Sequence, residues 1–184
     1  ELIEPEANKV TLTKDKRVIQ YDQLLIATGT DIHPEEIEGM LEGGWRKNIF
    51  DYYTFEGAMA LREFLKNFQG GRVVLNIAEM PIKCPVAPLE FMYLADYYFT
   101  QRGIRNKVDL VFTTPLSGAF TKPVSSKMLG DVMQKKGIHT EADFAISGVD
   151  SAKNKLTSFD GRELDYDLLV TIPTNMGADV IARS

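Results

Sequence analysis

Cysteine is nearly absent from these 184 residues: Cys84 stands alone, so no disulfide can close within them and a secreted disulfide framework is excluded. Histidine is almost as scarce. His33 and His139 lie far apart, with no further Cys or His at ligand spacing, which argues against a metal centre and leaves both as surface residues. No apolar run approaches the ~18 residues a membrane span needs. Lys and Arg number 21 against 26 Asp and Glu, a formal charge of −5, and no basic cluster marks one helix face, so general nucleic-acid binding is excluded. What is present, 44% hydrophobic and 26% charged residues, is the composition of an ordinary globular chain, long enough for one full core.

An internal repeat organises the chain. Asn8-Lys9-Val10-Thr11-Leu12 turns at Asp15-Lys16 into Arg17-Val18-Ile19-Gln20-Tyr21-Asp22 and then Leu24-Leu25-Ile26. Asn154-Lys155-Leu156-Thr157-Ser158 turns at Asp160-Gly161 into Arg162-Glu163-Leu164-Asp165-Tyr166-Asp167 and then Leu168-Leu169-Val170. Each copy reads as a polar-tipped hairpin feeding, through Tyr-Asp, a short apolar strand of the kind buried on both faces of a parallel sheet.

Between the copies runs a βαβαβ pattern. Thr54 is the N-cap of a helix over 55–68 that stops at Gly70-Gly71, and Arg72 to Ala78 is a buried strand. A second helix spans about 88–102 and closes at Gly103, and Val108 to Thr113 is the next strand. A third helix covers 123–136, with Gly137 past its end, and 138–146 is extended. The pattern predicts an α/β fold: a Rossmann-like, parallel-sheet domain with a β-hairpin or meander inserted before its last strand. If the second copy closes this domain, the first closes an equivalent one that begins before Glu1. The expected division is 1–35 as the C-terminal end of a truncated FAD-binding domain, 36–175 as an NAD-binding-like domain, and 176–184 as the start of the return to the first.

The turn after the first of these strands is where a nicotinamide dinucleotide would lie, held by glycines that let the backbone approach the pyrophosphate. Here it reads Glu79-Met80-Pro81-Ile82-Lys83-Cys84-Pro85-Val86-Ala87-Pro88-Leu89-Glu90, without a glycine and with three prolines that remove N–H donors. NAD binding is disfavoured, and the loop instead carries a cysteine beside Lys83 just before a helix N-terminus, both of which favour a nucleophilic thiolate. Glu79 and Glu90 read as solvated carboxylates, and the loop from Thr113-Thr114-Pro115 to Pro123 reads as pocket wall. In the first copy, Ala27-Thr28-Gly29-Thr30 makes a small turn after the apolar strand, where a cofactor could approach backbone.

The stretch from Pro81 to Glu90 resembles the Cys-Pro-x-x-Pro element of the sulfide:quinone oxidoreductase family and of the related flavin subunit of flavocytochrome c sulfide dehydrogenase. The resemblance takes in Tyr21 to Gly29, Gly44-Trp45 through Phe50, Tyr53-Thr54, and Tyr166 to Val170 with Pro173. It implies an internal fragment of an FAD-dependent oxidoreductase with two dinucleotide-binding domains, the second degenerate. The implied reaction begins with sulfide attacking a redox-active disulfide beside the flavin, after which a persulfide-bearing cysteine passes electrons to FAD and a quinone reoxidises it. Cys84 matches the family cysteine at the flavin, either the carrier of the sulfane sulfur or the thiol that attacks the flavin, and Thr28 and Gly29 would lie against FAD.

The same resemblance places the partner cysteine, the Gly-rich FAD fingerprint and a C-terminal membrane-binding region outside these residues, which are therefore not expected to hold FAD alone. It implies a peripheral protein of the cytoplasmic membrane and allows a homo-oligomer. A further cysteine common in the family is absent here. Two other readings stay open: a flavoprotein that passes electrons from NADH to quinone, and a non-catalytic α/β binding module in which Cys84 merely packs.

Overall fold

In the computed structural model, which describes residues 2–184, the chain divides into one unit formed by the residues up to Asp31 with Asn175–Ser184, and a larger one, Ile32–Thr174. Glu1, where the sequence reading opens its first domain, lies outside the described residues.

In the smaller unit, Leu2–Glu4 (β1), Lys9–Thr11 (β2) and Val18–Gln20 (β3) form an antiparallel meander in the order β1-β2-β3. The returning segment is tied to it where Ile3 donates its backbone N–H to Ser184 Oγ at 2.9 Å. The apolar run Leu24-Leu25-Ile26 corrects the expectation of a buried strand: it forms none, and Leu25 is 89% exposed. A doubly buried strand needs hydrogen-bonding neighbours on both edges, and no described residue pairs with this run. Thr30–His33 (β4) carries the chain into the larger unit.

There the alternating pattern produces Ile49–Phe50 (β5), Phe55–Asn67 (α1), Gly71–Ile77 (β6), Ala87–Gln101 (α2), Val108–Thr113 (β7), Pro123–Lys135 (α3) and Ile138–Glu141 (β8). Ile146–Asp150 (β9), Lys155–Ser158 (β10) and Glu163–Asp165 (β11) form a second antiparallel meander before Leu168–Ile172 (β12). The core is a parallel sheet in the order β5-β12-β6-β7-β8, and Thr174–Gly177 (β13) leads out of it. The expected α/β, Rossmann-like fold with an inserted meander is borne out, and the helices and buried strands of the larger unit fall within about one residue of their expected bounds.

Period-two alternation sorts the strand side chains into two layers. Val73, Leu75, Ile77, Leu110, Phe112 and Val170 pack with Leu61 of α1, Leu89, Met92 and Phe99 of α2 and Met133 of α3. Val74, Val111 and Leu169 face the other way, against Ile37, Met40, Phe144, Ile146 and Leu156. One face of the sheet is thus covered by helices and the other by the meander and the segment before β5.

The repeat survives as geometry. Asn8 and Asn154 both adopt left-handed backbone, φ 51° and 54°, which asparagine tolerates better than most residues. Each then accepts the backbone N–H of its own copy's tyrosine, Tyr21 at 3.0 Å and Tyr166 at 2.9 Å.

Candidate functional site: the Cys84 loop

The chain leaves the carboxyl end of β6 at Ile77 and reaches α2 at Ala87 through a loop without regular structure, in which the Met80–Pro81 peptide is cis. Ile82 is buried in the helix-side core and anchors the loop, while Lys83 and Pro85 on either side of Cys84 are exposed and the thiol is half-buried. Pro88 in the first turn of α2 suits a position whose N–H has no intrahelical acceptor. The Cys84 carbonyl accepts two donors, the backbone N–H of Ala87 at 3.2 Å and the phenol of Tyr53 at 3.3 Å.

Tyr53 comes from the turn that precedes α1. Asp51, fully buried, closes this turn by accepting both the backbone N–H of Thr54 at 2.7 Å and its hydroxyl at 2.8 Å on one carboxylate oxygen. Its other oxygen meets Arg46 Nη1 at 2.6 Å. Thr54 then caps α1, its Oγ1 accepting the N–H of Gly57 at 3.0 Å as the sequence predicts. Between Asp51 and Thr54 stand two tyrosines. Tyr52 stacks on Phe91 of α2 with centroids 5.3 Å apart and planes at 19°, and Tyr53 meets Tyr52 edge to face, also at 5.3 Å.

Burial raises the pKa of both phenols. For Tyr53 the bond to the Cys84 carbonyl opposes the rise and the nearby Cys84 adds to it; for Tyr52 the neighbouring Tyr53, Cys84 and Glu90 add to it. Both therefore stay neutral across the physiological range, and Tyr53 donates. The Tyr52 hydroxyl is buried without a hydrogen-bond partner among the described residues.

A cavity of about 540 Å³ opens at the carboxyl ends of the parallel strands, lined by Ile37, Ala78, Glu79, Met80, Pro115 and Ile146 among others. It takes the first residues of the loop but not Cys84. Its wall carries Glu36 and Glu79 and no basic residue, and the loop above it has no glycine, an arrangement hostile to a pyrophosphate. Pro115 and Leu116 place the 113–123 loop on this wall.

In the smaller unit, Thr28 and Gly29 are exposed, and Gly29 has φ +73° with open space where a Cβ would stand. That conformation and that space fit a backbone turn approached closely by a cofactor. His33 bonds Glu35 at 2.8 Å, His139 is exposed, and no group of three or more His, Cys, Asp or Glu suited to a metal occurs among the described residues.

Two polar devices have no counterpart in the sequence reading. The Arg46–Asp51–Thr54 cluster is one, announced by an Asp three residues before an N-cap Thr. Asn76 is the other, a fully buried amide that donates to Thr113 Oγ1 at 2.9 Å and accepts from Thr171 Oγ1 at 3.2 Å. The three are cross-strand partners on β12, β6 and β7, so the ladder satisfies itself. A lone Asn inside Val73-Val74-Leu75-Asn76-Ile77 is the signal that could have found it.

No protein-family model matches the chain. It is 26% identical, over 100% of its length, to the mitochondrial sulfide:quinone oxidoreductase of Dictyostelium discoideum, and 28% identical, again over 100%, to the sulfide-quinone reductase of Aquifex aeolicus. The solved sulfide:quinone oxidoreductase of Aquifex aeolicus matches 100% of the chain with a TM-score of 0.77 and 26% identity. The chain is similar throughout to the sulfide:quinone oxidoreductases. It spans 41% and 43% of those two curated relatives and 43% of the solved chain. The resemblance to sulfide:quinone oxidoreductases drawn from the Cys84 element is thus borne out. Putidaredoxin reductase, in its covalent complex with putidaredoxin, shares the fold with a TM-score of 0.61 at 19% identity.

Proposed function

We propose that the chain is the cysteine-bearing part of a flavin-dependent oxidoreductase that oxidises sulfide and delivers the electrons to a quinone. The observation that carries this reading is the place of Cys84. It sits on a proline-bracketed, glycine-free loop at the carboxyl end of a central parallel strand, where α/β sheets present ligand-binding groups, in a chain similar throughout to proteins named for that reaction.

Cys84 is one half of a disulfide whose second sulfur comes from outside these 184 residues. Attack by hydrosulfide breaks that S–S bond and forms a new one, so that one cysteine becomes a persulfide and the other leaves as a thiolate. The incoming sulfur is oxidised by two electrons, which the cleaved disulfide takes up. Transfer of the outer sulfur to a nucleophilic acceptor then leaves two thiols, for whose two electrons FAD, when bound, would supply the acceptor as the disulfide re-forms, and the quinone takes two electrons and two protons to become a quinol. Thr28 and Gly29 would hold the cofactor, with residues outside the chain completing its site. Loop 79–87 contributes the thiol and excludes a nicotinamide cofactor by lacking a phosphate cradle. Quinone exchange would take place at the cytoplasmic face of a membrane through residues outside this chain. No helix among the described residues is long and apolar enough to cross one.

The test is whether Cys84 carries sulfane sulfur. Polysulfide treatment of the chain followed by intact mass spectrometry should add one sulfur atom, released by cyanide as thiocyanate, and Cys84→Ser should abolish both signals. A wild-type chain that takes up no sulfur would overturn the reading.

A further inference from the structure

Loop 79–86 is poor in backbone bonds because Pro81 and Pro85 have no N–H to donate, yet it must present one atom, the Cys84 sulfur, reproducibly. The missing restraint comes from a residue 31 positions away: Tyr53 donates to the Cys84 carbonyl, which also accepts the N–H of Ala87 at the head of α2. The adjacent Tyr52 grips the same helix by stacking on Phe91, one helical turn from its start. Two consecutive tyrosines thus hold both the cysteine and the helix that follows it. Their own backbone is fixed because they are the two residues bracketed by the Asp51–Thr54 turn, which the ion pair between the enclosed Asp51 and Arg46 locks.

We propose that Tyr53 is a positioning residue for the Cys84 thiol and that the Arg46–Asp51–Thr54 turn is the clamp holding Tyr53 in place. The inference rests on Cys84 being the reacting thiol of the proposed function. Tyr53 acts through the Cys84 backbone, which it fixes at the head of α2. Removing its hydroxyl frees the loop to sample conformations in which the half-buried sulfur is more exposed and less consistently oriented.

Cys84 is the only cysteine in the chain, so its alkylation by iodoacetamide can be followed without ambiguity across pH 6–10. Tyr53→Phe keeps the ring and its packing and should leave circular dichroism and Tm close to wild type, while alkylation becomes several-fold faster throughout the profile. Tyr93→Phe is the matched control, since Tyr93 also donates its phenol from α2 to a backbone carbonyl, that of Leu129 at 2.9 Å, away from the loop. It should leave the profile unchanged. If Tyr53→Phe does not fold, Thr54→Ala, which opens the clamp without touching either ring, should show the same acceleration. A folded Tyr53→Phe or Thr54→Ala whose profile superimposes on wild type would overturn the proposal, as would equal acceleration in Tyr93→Phe. This readout needs neither flavin nor sulfide, so a failure of the sulfide chemistry and a failure of the clamp are separately visible.

Discussion

Arg46 Nη1 and Asp51 Oδ1 lie 2.6 Å apart, pressed against the backbone of Gly57 in the first turn of α1. A Cβ at position 57 would stand 2.4 Å from both atoms, so the glycine is there to admit the ion pair. The pair is asymmetric in burial, with the Asp51 side chain wholly enclosed and that of Arg46 partly exposed, its guanidinium 4.7 Å above the Trp45 ring. Enclosing a carboxylate in this way is tolerable only while its partners stay in place.

Gly57→Ala should therefore destabilise the fold although alanine is the better helix former, by about 1–3 kcal/mol from overpacking. Arg46→Ala, which strands the wholly enclosed Asp51 carboxylate, should cost about 3–5 kcal/mol, the range for leaving a buried charge unpaired. Urea denaturation with unchanged m-values would measure both, and a stabilised Gly57→Ala would contradict the arrangement.

The ion triad at the foot of α2 has a pH signature. Burial works to raise the Asp96 pKa, but hydrogen bonds from Lys136 and Arg105, both at 2.7 Å, overcome it and hold the carboxyl below its ordinary value. A folded-state pKa below the unfolded value near ~3.9 means the contribution is fully present above that pH and is lost as pH falls through the folded value. Asp96→Asn should lose about 1.5–3 kcal/mol at pH 7, the range for hydrogen bonds to charged groups. The gap to wild type should close progressively below pH ~4. A gap that is constant from pH 7 to pH 3 in guanidinium melts would contradict this.

At the alkaline end the buried phenols act in the opposite sense. Burial pushes Tyr166 up to about 12 and also raises Tyr52, Tyr53 and Tyr93. A neutral form favoured by folding contributes stability that is complete below the unfolded pKa of ~10 and is lost as pH rises above it. In an ultraviolet titration Tyr52, Tyr53, Tyr93 and Tyr166 should ionise late, together with unfolding, and each Tyr→Phe variant should remove its share of that late phase. Ionisation of these four near the unfolded value of ~10 with the fold intact would contradict the burial.

Local chemistry made most of the larger unit legible. Thr54, Gly103 and Gly137 mark helix ends by capping and left-handed backbone, and the apolar run Leu168-Leu169-Val170 reads as a buried parallel strand because it is part of one. The same logic failed at Leu24–Ile26, whose composition is equally apolar, because burial on two faces depends on neighbouring strands that the run itself does not encode. The cysteine loop was visible from its prolines and missing glycines. Its support was not: Tyr53 meets Cys84 across 31 positions, a contact set by how α1 and α2 pack on one sheet face, and no periodicity reports it. Asn76 was hidden for a related reason, since its two hydroxyl partners lie on different strands.

The proposed passage of electrons from sulfide through Cys84 to flavin can be followed by anaerobic flavin absorbance in the chain extended until it holds FAD. Sulfide alone should bleach the flavin rapidly in wild type, and Cys84→Ser should abolish the bleaching while retaining the cofactor. Bleaching by NADH with Cys84 dispensable would contradict the account and establish the nicotinamide-dependent alternative in its place.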